Sequence, residues 1–431
     1  MAGAGSLGPV EQQTVDATNE IIALGRRAQT AAAQLALAAT EAKDRGLNRI
    51  ADALDASVER IVAANAQDVA RAREEGQSDA ILDRLTLNPE RIKEIAEAVR
   101  ALTKLPDPIG EITESWTLAN GLGIERRRVP LGVIGMIYEA RPNVTVDAAT
   151  ICLKSGNACI LRGSASALAT NIVLADLIDA ALRDAALPAN CVQLVRTPDR
   201  ETAQAMLTAR GVIDVLIPRG GAELIRAVVN GATVPVLETG VGNCHVYVDR
   251  SADLLKALPI VMNAKTHRPG VCNAAETLLV HESVAKELLP ELGVRLQQSG
   301  VELRGDDATR KLIGGVLKAS EEDWSTEFLD LILAVKVVAD VDEAIKHINF
   351  YGSRHTEAIV AEDAEVIQRF TDEIDAAAVV VNASTRFTDG GEFGFGAEIG
   401  ISTQKMHARG PMGLRELTSY KYIIRGDGQT R

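Results

Sequence analysis

The chain has 431 residues, a length that suggests two or three domains. Of these residues 46% are apolar and 24% are charged, a composition typical of a globular protein. Its net charge of −13 argues against a general nucleic-acid surface, because binding a phosphate backbone needs a basic face. The apolar runs look shorter than the roughly 20 residues that span a bilayer, so we expect no membrane association.

Neither the N-terminus nor the cysteines predict secretion. The N-terminus lacks the basic start and apolar stretch of a secretory signal. Five cysteines in so long a chain indicate neither a disulfide framework nor a metal site, so we expect a cytoplasmic protein with reduced thiols. Gly3–Gly8 match the pattern G-x-G-x-x-G, but no strand precedes them. We therefore interpret this segment as a flexible terminus and not as a dinucleotide-binding motif.

The first hundred residues are predicted to be helical. From Val10 to Glu75 small apolar residues recur at spacings of three and four, with Gly46 and Gly76 as predicted helix ends. A further helix should begin at "NPERIKEIAEAVRALTKL", with Asn88 as its cap and Pro89 at its first position. These helices carry no obvious chemistry and are expected to cover a sheet.

After Gly110 short Val/Ile/Leu runs alternate with helical patterns. The predicted strands include "LGVIGMIYEA", "ACILRGS", "VQLVR", "VIDVLIPRG" and "VPVLETG", and a second series runs from "NCHVYVD" through "ETLLVHE", "LAVKVVA" and "EAIVAED" to "AAVVVNAS". Such alternation predicts β-α-β units and parallel sheets covered on both faces. The sequence therefore predicts an α/β protein with two parallel-type domains. In addition, 114–132 should form a hairpin and "ELTSYKYIIRG" a strand.

Cys272 is the candidate nucleophile. It follows the Pro269–Gly270 break, and His267 and Arg268 stand just before that break. A loop position beside cationic groups favours a reactive thiolate, whereas a packing cysteine is normally surrounded by apolar residues. On local sequence alone both interpretations stay open.

Glu238 and Asn143 are the other candidates for chemistry. Each is predicted to follow a strand, in "PVLETGVGN" and "YEARPNVTVD", and parallel sheets assemble ligand sites at the C-terminal ends of their strands. A thiolate, a carboxylate and an amide donor suit acyl transfer through a thioester. Taken singly, Glu238 could equally be a solvated loop acid and Asn143 a helix cap.

The order of these segments resembles the aldehyde dehydrogenase superfamily. The resemblance rests on "GVIGMIYEARPN", "LKSGNACILRGS", "PVLETGVGN", "GVCNA" and "STEFLD", in that order. Within the superfamily, "RPGVCNAAETLLVH", "VDEAIKHINFYGSRHTEAIV" and "FGFGAEIGISTQKMHARGPMGLRELTSYKYII" resemble the γ-glutamyl phosphate reductases, which act in proline biosynthesis. The resemblance implies a Rossmann-like cofactor-binding domain over 10–118 and 133–242, extended by 388–407. It further implies a catalytic domain over 243–387 and a small β oligomerisation arm over 119–132 and 408–431.

The resemblance assigns roles to the catalytic and cofactor residues. Cys272 aligns with the nucleophile and Asn143 with the oxyanion donor, whereas Glu238 occupies the place of the base that activates water in hydrolytic relatives. Arg162 and Ser164, in "LRGSASA", align with the segment that holds the adenosine ribose. Arg162 replaces a lysine, and Ala165 stands where NAD-preferring relatives often carry an acid, which favours NADP(H).

Three further cofactor residues are implied in the same way. Gly220 and Gly221, in "IPRGGAEL", should approach the cofactor phosphates. Glu327 should contact the nicotinamide ribose, although Leu329 and Asp330 replace the aromatic residue and glycine usual after that acid.

The implied reaction is reduction of L-glutamyl 5-phosphate to L-glutamate 5-semialdehyde with NADPH through a thioester on Cys272. His267 and Arg268 would bind phosphate or lower the pKa of the thiol, and Arg386 is the candidate for the substrate α-carboxylate. The resemblance also implies a homodimer or homotetramer and coupling to glutamate 5-kinase. Two alternatives stay open: a hydrolytic aldehyde dehydrogenase, and a non-catalytic protein that keeps the fold.

Overall fold

A computed structural model describes residues 9–431, with side chains described at all of these positions except 9–11 and 80. The Gly3–Gly8 motif therefore lies outside the described residues. The chain divides into two compact units. The first extends to Glu238 and includes Phe395–Gly400 and Met412–Arg431, and the second comprises Thr239–Gly394 and Ile401–Pro411.

The first unit combines a helical cover with two sheets. Its helices are α1 (Pro9–Leu35), α2 (Thr40–Ala56), α3 (Val58–Glu74), α4 (Asp79–Leu85), α5 (Pro89–Leu102), α6 (Asn143–Lys154), α7 (Leu168–Asp184), α8 (Arg200–Thr208) and α9 (Ala222–Gly231). Its strands are β1 (Ile112–Thr117), β2 (Gly123–Pro130), β3 (Val133–Tyr138), β4 (Ala158–Gly163), β5 (Val192–Leu194), β6 (Val215–Arg219) and β16 (Thr418–Arg425).

Within the described part of this unit, one sheet is parallel and the other antiparallel. The parallel sheet has the order β5-β4-β3-β6, and β3 and β4 are almost entirely buried, which explains their continuous apolar runs. The antiparallel sheet has the order β1-β2-β16, which confirms the predicted hairpin and C-terminal strand. Because β1 begins at Ile112 and pairs with β2, the hairpin starts two residues before the predicted position 114.

Two local predictions about the helices are confirmed and one is wrong. Asn88 caps α5 by accepting a hydrogen bond from Arg91 N at 2.8 Å, and Gly76 adopts a positive φ of +74° after α3. Gly46, predicted as a helix end, lies inside α2. A Cβ there would stand 2.4 Å from Leu187 Cδ1, so the glycine permits close packing and does not end the helix.

The expectation about apolar runs also needs correction. One helical stretch, 165–184, is long and apolar enough by length and composition to cross a membrane. Half of its most apolar window is buried within the fold, where Leu174, Leu177 and Ile178 are in the core. Burial against neighbouring elements accounts for this apolar composition.

The second unit contains a larger sheet. Its helices are α10 (Leu254–Thr266), α11 (Glu282–Gln298), α12 (Asp307–Leu312), α13 (Val341–Tyr351) and α14 (Ala364–Glu373). Its strands are β7 (Cys244–Val248), β8 (Ala275–His281), β9 (Glu302–Gly305), β10 (Leu317–Lys318), β11 (Ile332–Val338), β12 (Thr356–Val360), β13 (Ala378–Val381), β14 (Ile401–Ser402) and β15 (Gly410–Pro411).

Within the residues described for this unit, seven strands form a parallel sheet in the order β10-β9-β11-β8-β7-β12-β13. Alternate residues of β7 point to opposite faces. Val246 and Val248 join the apolar cluster that includes residues of α10 and α11, whereas Tyr247 joins the cluster with α13 and α14. The predicted parallel α/β architecture is confirmed in both units.

Candidate active site

The second unit carries the thiol. Cys272 lies in the loop between α10 and β8 and is partly exposed, whereas Cys152, Cys159, Cys191 and Cys244 are all buried. His267 follows the last residue of α10, and both it and Arg268 are exposed. The cysteine that the sequence singles out is therefore the accessible one.

The backbone behind Cys272 is closely packed. A Cβ on Gly242 would stand 1.6 Å from Cys272 O, so a larger residue cannot occupy this position without moving the loop. The Cys244 thiol donates to the same carbonyl oxygen over 3.2 Å, and burial raises the pKa of Cys244 well above its ordinary value. Close packing against Gly242 and the hydrogen bond from the protonated Cys244 thiol thus fix the position of the Cys272 carbonyl oxygen.

Asn273, the neighbour of the thiol, joins a distant segment to this loop. Its side-chain amide donates to Thr388 O at 2.9 Å and to Arg386 O at 3.4 Å. In return, the Thr385 hydroxyl donates to Asn273 O at 2.6 Å. The 3₁₀ turn Thr385–Phe387, which carries Arg386, is thereby fixed beside the cysteine loop.

Two nitrogens of the Arg386 guanidinium lack hydrogen-bond partners among the described residues. Burial lowers its pKa; the charges of Asp389 and Cys272 raise it, and Arg268 lowers it. Its Nε and Nη1 atoms are buried and find no hydrogen-bond partner among the residues that the structure describes. An anion such as a carboxylate or phosphate would satisfy these donors.

Glu327 lies close to the same part of the second unit. One of its carboxylate oxygens accepts a hydrogen bond from Gly242 N at 2.7 Å, and burial raises its pKa while that bond lowers it. Gly242, Cys272 and Glu327 each precede a strand, namely β7, β8 and β11, which are neighbours in a parallel sheet. These residues therefore gather at the amino edge of the sheet.

In the first unit, Asn143 is the first residue of α6, just beyond the carboxyl end of β3. Its side-chain amide donates to Asp147 Oδ2 at 2.9 Å. Burial raises the pKa of Asp147 to about 6, whereas the bond from Asn143 and the charge of Arg219 lower it. The amide is thus oriented by a carboxylate one turn along the helix.

Arg162 and Ser164 lie at the carboxyl end of β4. Arg162 Nη2 donates to Pro198 O at 3.1 Å and to Asp199 O at 3.2 Å, which places the guanidinium beside the loop that leads into α8. Burial lowers its pKa, and the neighbouring charge of Arg200 lowers it further. Among the described residues, its buried Nε has no hydrogen-bond partner. Ser164 Oγ accepts from Ala140 N at 3.0 Å.

Gly220 and Gly221 follow β6 at the same carboxyl edge and precede α9. The Gly221 N–H donates to the Glu139 carboxylate at 2.9 Å, and a Cβ on Gly220 would stand 2.4 Å from that carboxylate. Glu139 therefore accepts the N–H of the residue that precedes α9, at the helix N-terminus that the family resemblance assigns to cofactor phosphates. Whether that terminus also receives a phosphate stays a prediction.

Glu238 is not at the end of a strand, contrary to the sequence-based prediction. The segment "VPVLETG" makes only an isolated bridge, between Val236 and Leu216, and Glu238 follows it in irregular backbone, partly exposed. A cavity of about 640 Å³ in the first unit, between α1, β2 and β16, contains none of the predicted site residues.

Sequence reasoning missed several residues that hold the site. Asp147 could have been found from its i, i+4 spacing to Asn143 in a predicted helix. Asn273, Glu139 and the buried Lys265–Glu276 pair carry no local signal, because their partners are elsewhere in the chain. In the part of the chain that the structure describes, no group of three or more His, Cys, Asp or Glu residues is arranged to hold a metal ion.

Comparison with protein families matches residues 6–331 to the model "Aldehyde dehydrogenase family". Gamma-glutamyl phosphate reductase from Thermobifida fusca is 57% identical over 416 residues, which cover 96% of this chain and 100% of that protein. The enzyme of the same name from Carboxydothermus hydrogenoformans is 56% identical over 413 residues, with 96% and 100% covered.

Solved structures give the same match. A crystal structure of gamma-glutamyl phosphate reductase from Thermotoga maritima superimposes with a TM-score of 0.93 at 50% sequence identity. The alignment covers 96% of this chain and 100% of that chain. An engineered glycolyl-CoA reductase with bound NADP⁺ is 20% identical with a TM-score of 0.67, which shows a shared fold.

Proposed function

The chain belongs to the aldehyde dehydrogenase family and, within it, to the γ-glutamyl phosphate reductases, and we propose that it reduces L-glutamyl 5-phosphate to L-glutamate 5-semialdehyde and phosphate with NADPH. This reaction would be the second step of proline biosynthesis from glutamate. Family membership makes the protein an oxidoreductase. The substrate, the cofactor preference and the residue roles are the parts that we propose.

The observation that carries the proposal is the set of groups that surround the Cys272 thiol. An accessible thiol lies in a loop joined through Asn273 to Arg386, whose two buried nitrogens find no partner among the described residues. Arg268 is exposed and near enough for its charge to lower the pKa of Arg386. A nucleophile whose surroundings include two guanidinium groups suits an anionic acyl substrate.

We propose that the Cys272 thiolate attacks the acyl carbon of L-glutamyl 5-phosphate. The bond from that carbon to the phosphate oxygen breaks, and phosphate leaves with the electron pair, so that a thioester remains on Cys272. Phosphate is a weak base and needs little proton assistance to leave. His267 and Arg268 are assigned to this phosphate, and Arg386 to the substrate α-carboxylate.

Asn143 is proposed to stabilise the tetrahedral intermediate. Its amide has two N–H groups, of which one donates to Asp147, and the other is assigned to the developing oxyanion. The Cys272 backbone N–H is assigned as the second donor. Preorganised donors of this kind do not have to reorient when charge develops, which is why they lower the barrier.

NADPH, when bound, supplies the hydride that converts the thioester into a thiohemiacetal. Arg162 fits a 2′-phosphate, because its buried Nε has no partner among the described residues and no acid occupies position 165. Ser164, Gly220, Gly221 and Glu327 are assigned to the rest of the cofactor. The thiohemiacetal then collapses, which releases the semialdehyde and restores the thiolate.

The competing candidate is a hydrolytic aldehyde dehydrogenase, in which Glu238 would activate water against the thioester. The two reactions differ in their acyl acceptor. The test is oxidation of L-glutamate 5-semialdehyde with NADP⁺ in buffers with and without inorganic phosphate. We expect NADPH to form only with phosphate present. Sustained turnover in phosphate-free buffer, with free glutamate as product, would support hydrolysis. A Cys272→Ala variant serves as the inactive control.

The remaining proposals concern location and assembly. We propose a cytoplasmic homodimer or homotetramer that is functionally coupled to glutamate 5-kinase. The edge strand β16 supports self-association, because Tyr420, Tyr422 and Ile424 are each more than half exposed on it.

A non-catalytic role would require loss of NADPH binding, which a calorimetric titration of the purified protein can detect.

A further inference from the structure

A fully buried ion pair closes the loop that carries Cys272. Lys265 is in the last turn of α10 and Glu276 is the second residue of β8, and Lys265 Nζ lies 2.6 Å from Glu276 Oε2. Both side chains are 0% exposed. Cys272 lies between these two anchors. The pair therefore ties together the element that enters the thiol loop and the element that leaves it.

The second carboxylate oxygen of Glu276 reaches another segment. Glu276 Oε1 accepts a hydrogen bond from Leu329 N at 3.1 Å. Leu329 has a positive φ of +53°, a conformation that a leucine holds only when its surroundings require it. Two residues earlier, Glu327 accepts from Gly242 N, and Gly242 packs on Cys272. These contacts connect both ends of the thiol loop to the segment of Glu327 and Leu329, and that segment to Gly242, which packs on Cys272.

We infer that Glu276 is a positioning residue that holds the Glu327 segment in a fixed relation to the Cys272 loop. Lys265 Nζ contacts one carboxylate oxygen, which leaves the other to accept from the backbone N–H at Leu329. This inference rests on the proposed function at one point, the assignment of Glu327 to the cofactor. The Glu276 side chain is fully buried, so it would act on the cofactor site through the Leu329 backbone.

The chemistry of the pair explains why a simple apolar contact does not replace it. Burial lowers the pKa of Lys265 and raises that of Glu276 to about 7, while the attraction between the two groups opposes both changes. A buried pair of this kind is weak support for stability, since apolar residues of similar volume often stabilise a fold as well. An apolar side chain, however, would offer no acceptor for the Leu329 N–H that Glu276 Oε1 now accepts.

Two double variants separate the ion pair from the Leu329 contact. Lys265→Met with Glu276→Gln removes both charges and keeps an oxygen that can accept from Leu329. Lys265→Met with Glu276→Leu removes both charges and the acceptor. We expect the Gln variant to retain kinetic constants close to those of the unmodified protein. The Leu variant should show a KM for NADPH raised about tenfold, because the loss of one hydrogen bond to a carboxylate corresponds to a change of about that size.

A purely structural role for the pair predicts a different result. In that case the Gln and Leu variants would have matching kinetics once folded, and differ at most in melting temperature. Such a match would overturn the inference. If the Leu variant does not fold, Glu276→Met with Lys265→Met is the second apolar variant, because methionine has nearly the length of glutamate.

Hydrogen exchange tests the contact without any dependence on activity. The Leu329 amide should be protected in the unmodified protein and in the Gln variant, and should exchange at least tenfold faster in the Leu variant. Fast exchange in the unmodified protein would overturn the inference. If exchange follows this pattern but the unmodified protein does not bind NADPH in calorimetry, then the proposed function fails while the positioning role of Glu276 stands.

Discussion

Asn143 and Asp147 form a hydrogen-bonded pair one turn apart on α6, with 2.9 Å between Asn143 Nδ2 and Asp147 Oδ2. The contact orients the amide that we assign to the oxyanion. Replacing Asp147 with Ala should lower kcat about tenfold with little change in KM, because the amide loses its fixed orientation. Asp147→Asn, which keeps an acceptor oxygen, should recover most of the loss. Steady-state kinetics that show no decrease for Asp147→Ala would contradict this role.

The same carboxyl should make stability depend on pH. Burial raises the pKa of Asp147 in the folded state to about 6, whereas an unfolded chain has an aspartate pKa of about 4. Between these values the folded state binds the proton more tightly, so this group stabilises the fold at low pH and the contribution is lost as pH rises toward 6.

Denaturant midpoints of the unmodified protein and Asp147→Asn measure this effect. The difference in free energy of unfolding should shift in favour of the variant from about pH 4 to about pH 6 and then level off. Parallel pH profiles for the two proteins would show that Asp147 titrates normally.

Asn143 and Glu238 should differ sharply in importance if phosphate is the acyl acceptor. Asn143→Ala removes a proposed oxyanion donor and should lower kcat by about 10²- to 10³-fold. Glu238→Gln should cost far less, because phosphate needs no base to activate it. Comparable large losses in kcat for both variants would instead favour the hydrolytic reaction.

Arg162 should decide the cofactor preference. Its guanidinium is proposed to bind the 2′-phosphate, which NADH lacks, so kcat/KM should be higher with NADPH than with NADH. Arg162→Ala should reduce that ratio, mainly through KM for NADPH. Arg196→Ala is the matched control, since Arg196 is exposed and forms its ion pair with Asp176. Equal kcat/KM for both cofactors in the unmodified protein would remove the proposal.

Cys272 should be the first of the five cysteines to react with an alkylating agent near neutral pH. It is partly exposed, while the other four are buried, and burial raises the pKa of Cys191 to about 12. Peptide mapping by mass spectrometry should show loss of activity in proportion to labelling at Cys272, with protection by substrate.

Cys272→Ser should keep the fold and NADPH binding but lose activity, because an unassisted serine hydroxyl does not ionise near neutral pH. First labelling at another cysteine, or an active Cys272→Ser enzyme, would exclude Cys272 as the nucleophile.

The sequence by itself determined the features that depend on short stretches of chain. Runs such as "GVIGMIY" and "HVYV" predict buried parallel strands, because a strand covered on both faces must be apolar along its whole length. The Asn88 cap and the positive φ at Gly76 follow from one residue and its neighbours. Likewise, a Pro-Gly break beside charged residues made Cys272 a candidate nucleophile, although the local sequence alone left a packing role open.

Only the tertiary structure decided which distant residues meet, because contacts at a sheet edge leave no periodic signal in sequence. Glu276 contacts Leu329 across 53 positions, and Asn273 reaches the carbonyl of Arg386 across 113. Gly46 resembled a helix end until packing against Leu187 showed why it has no side chain. "VPVLETG" has the composition of a strand, but it makes only the bridge of Val236 to Leu216, since strand formation requires a continuous backbone partner as well as apolar residues.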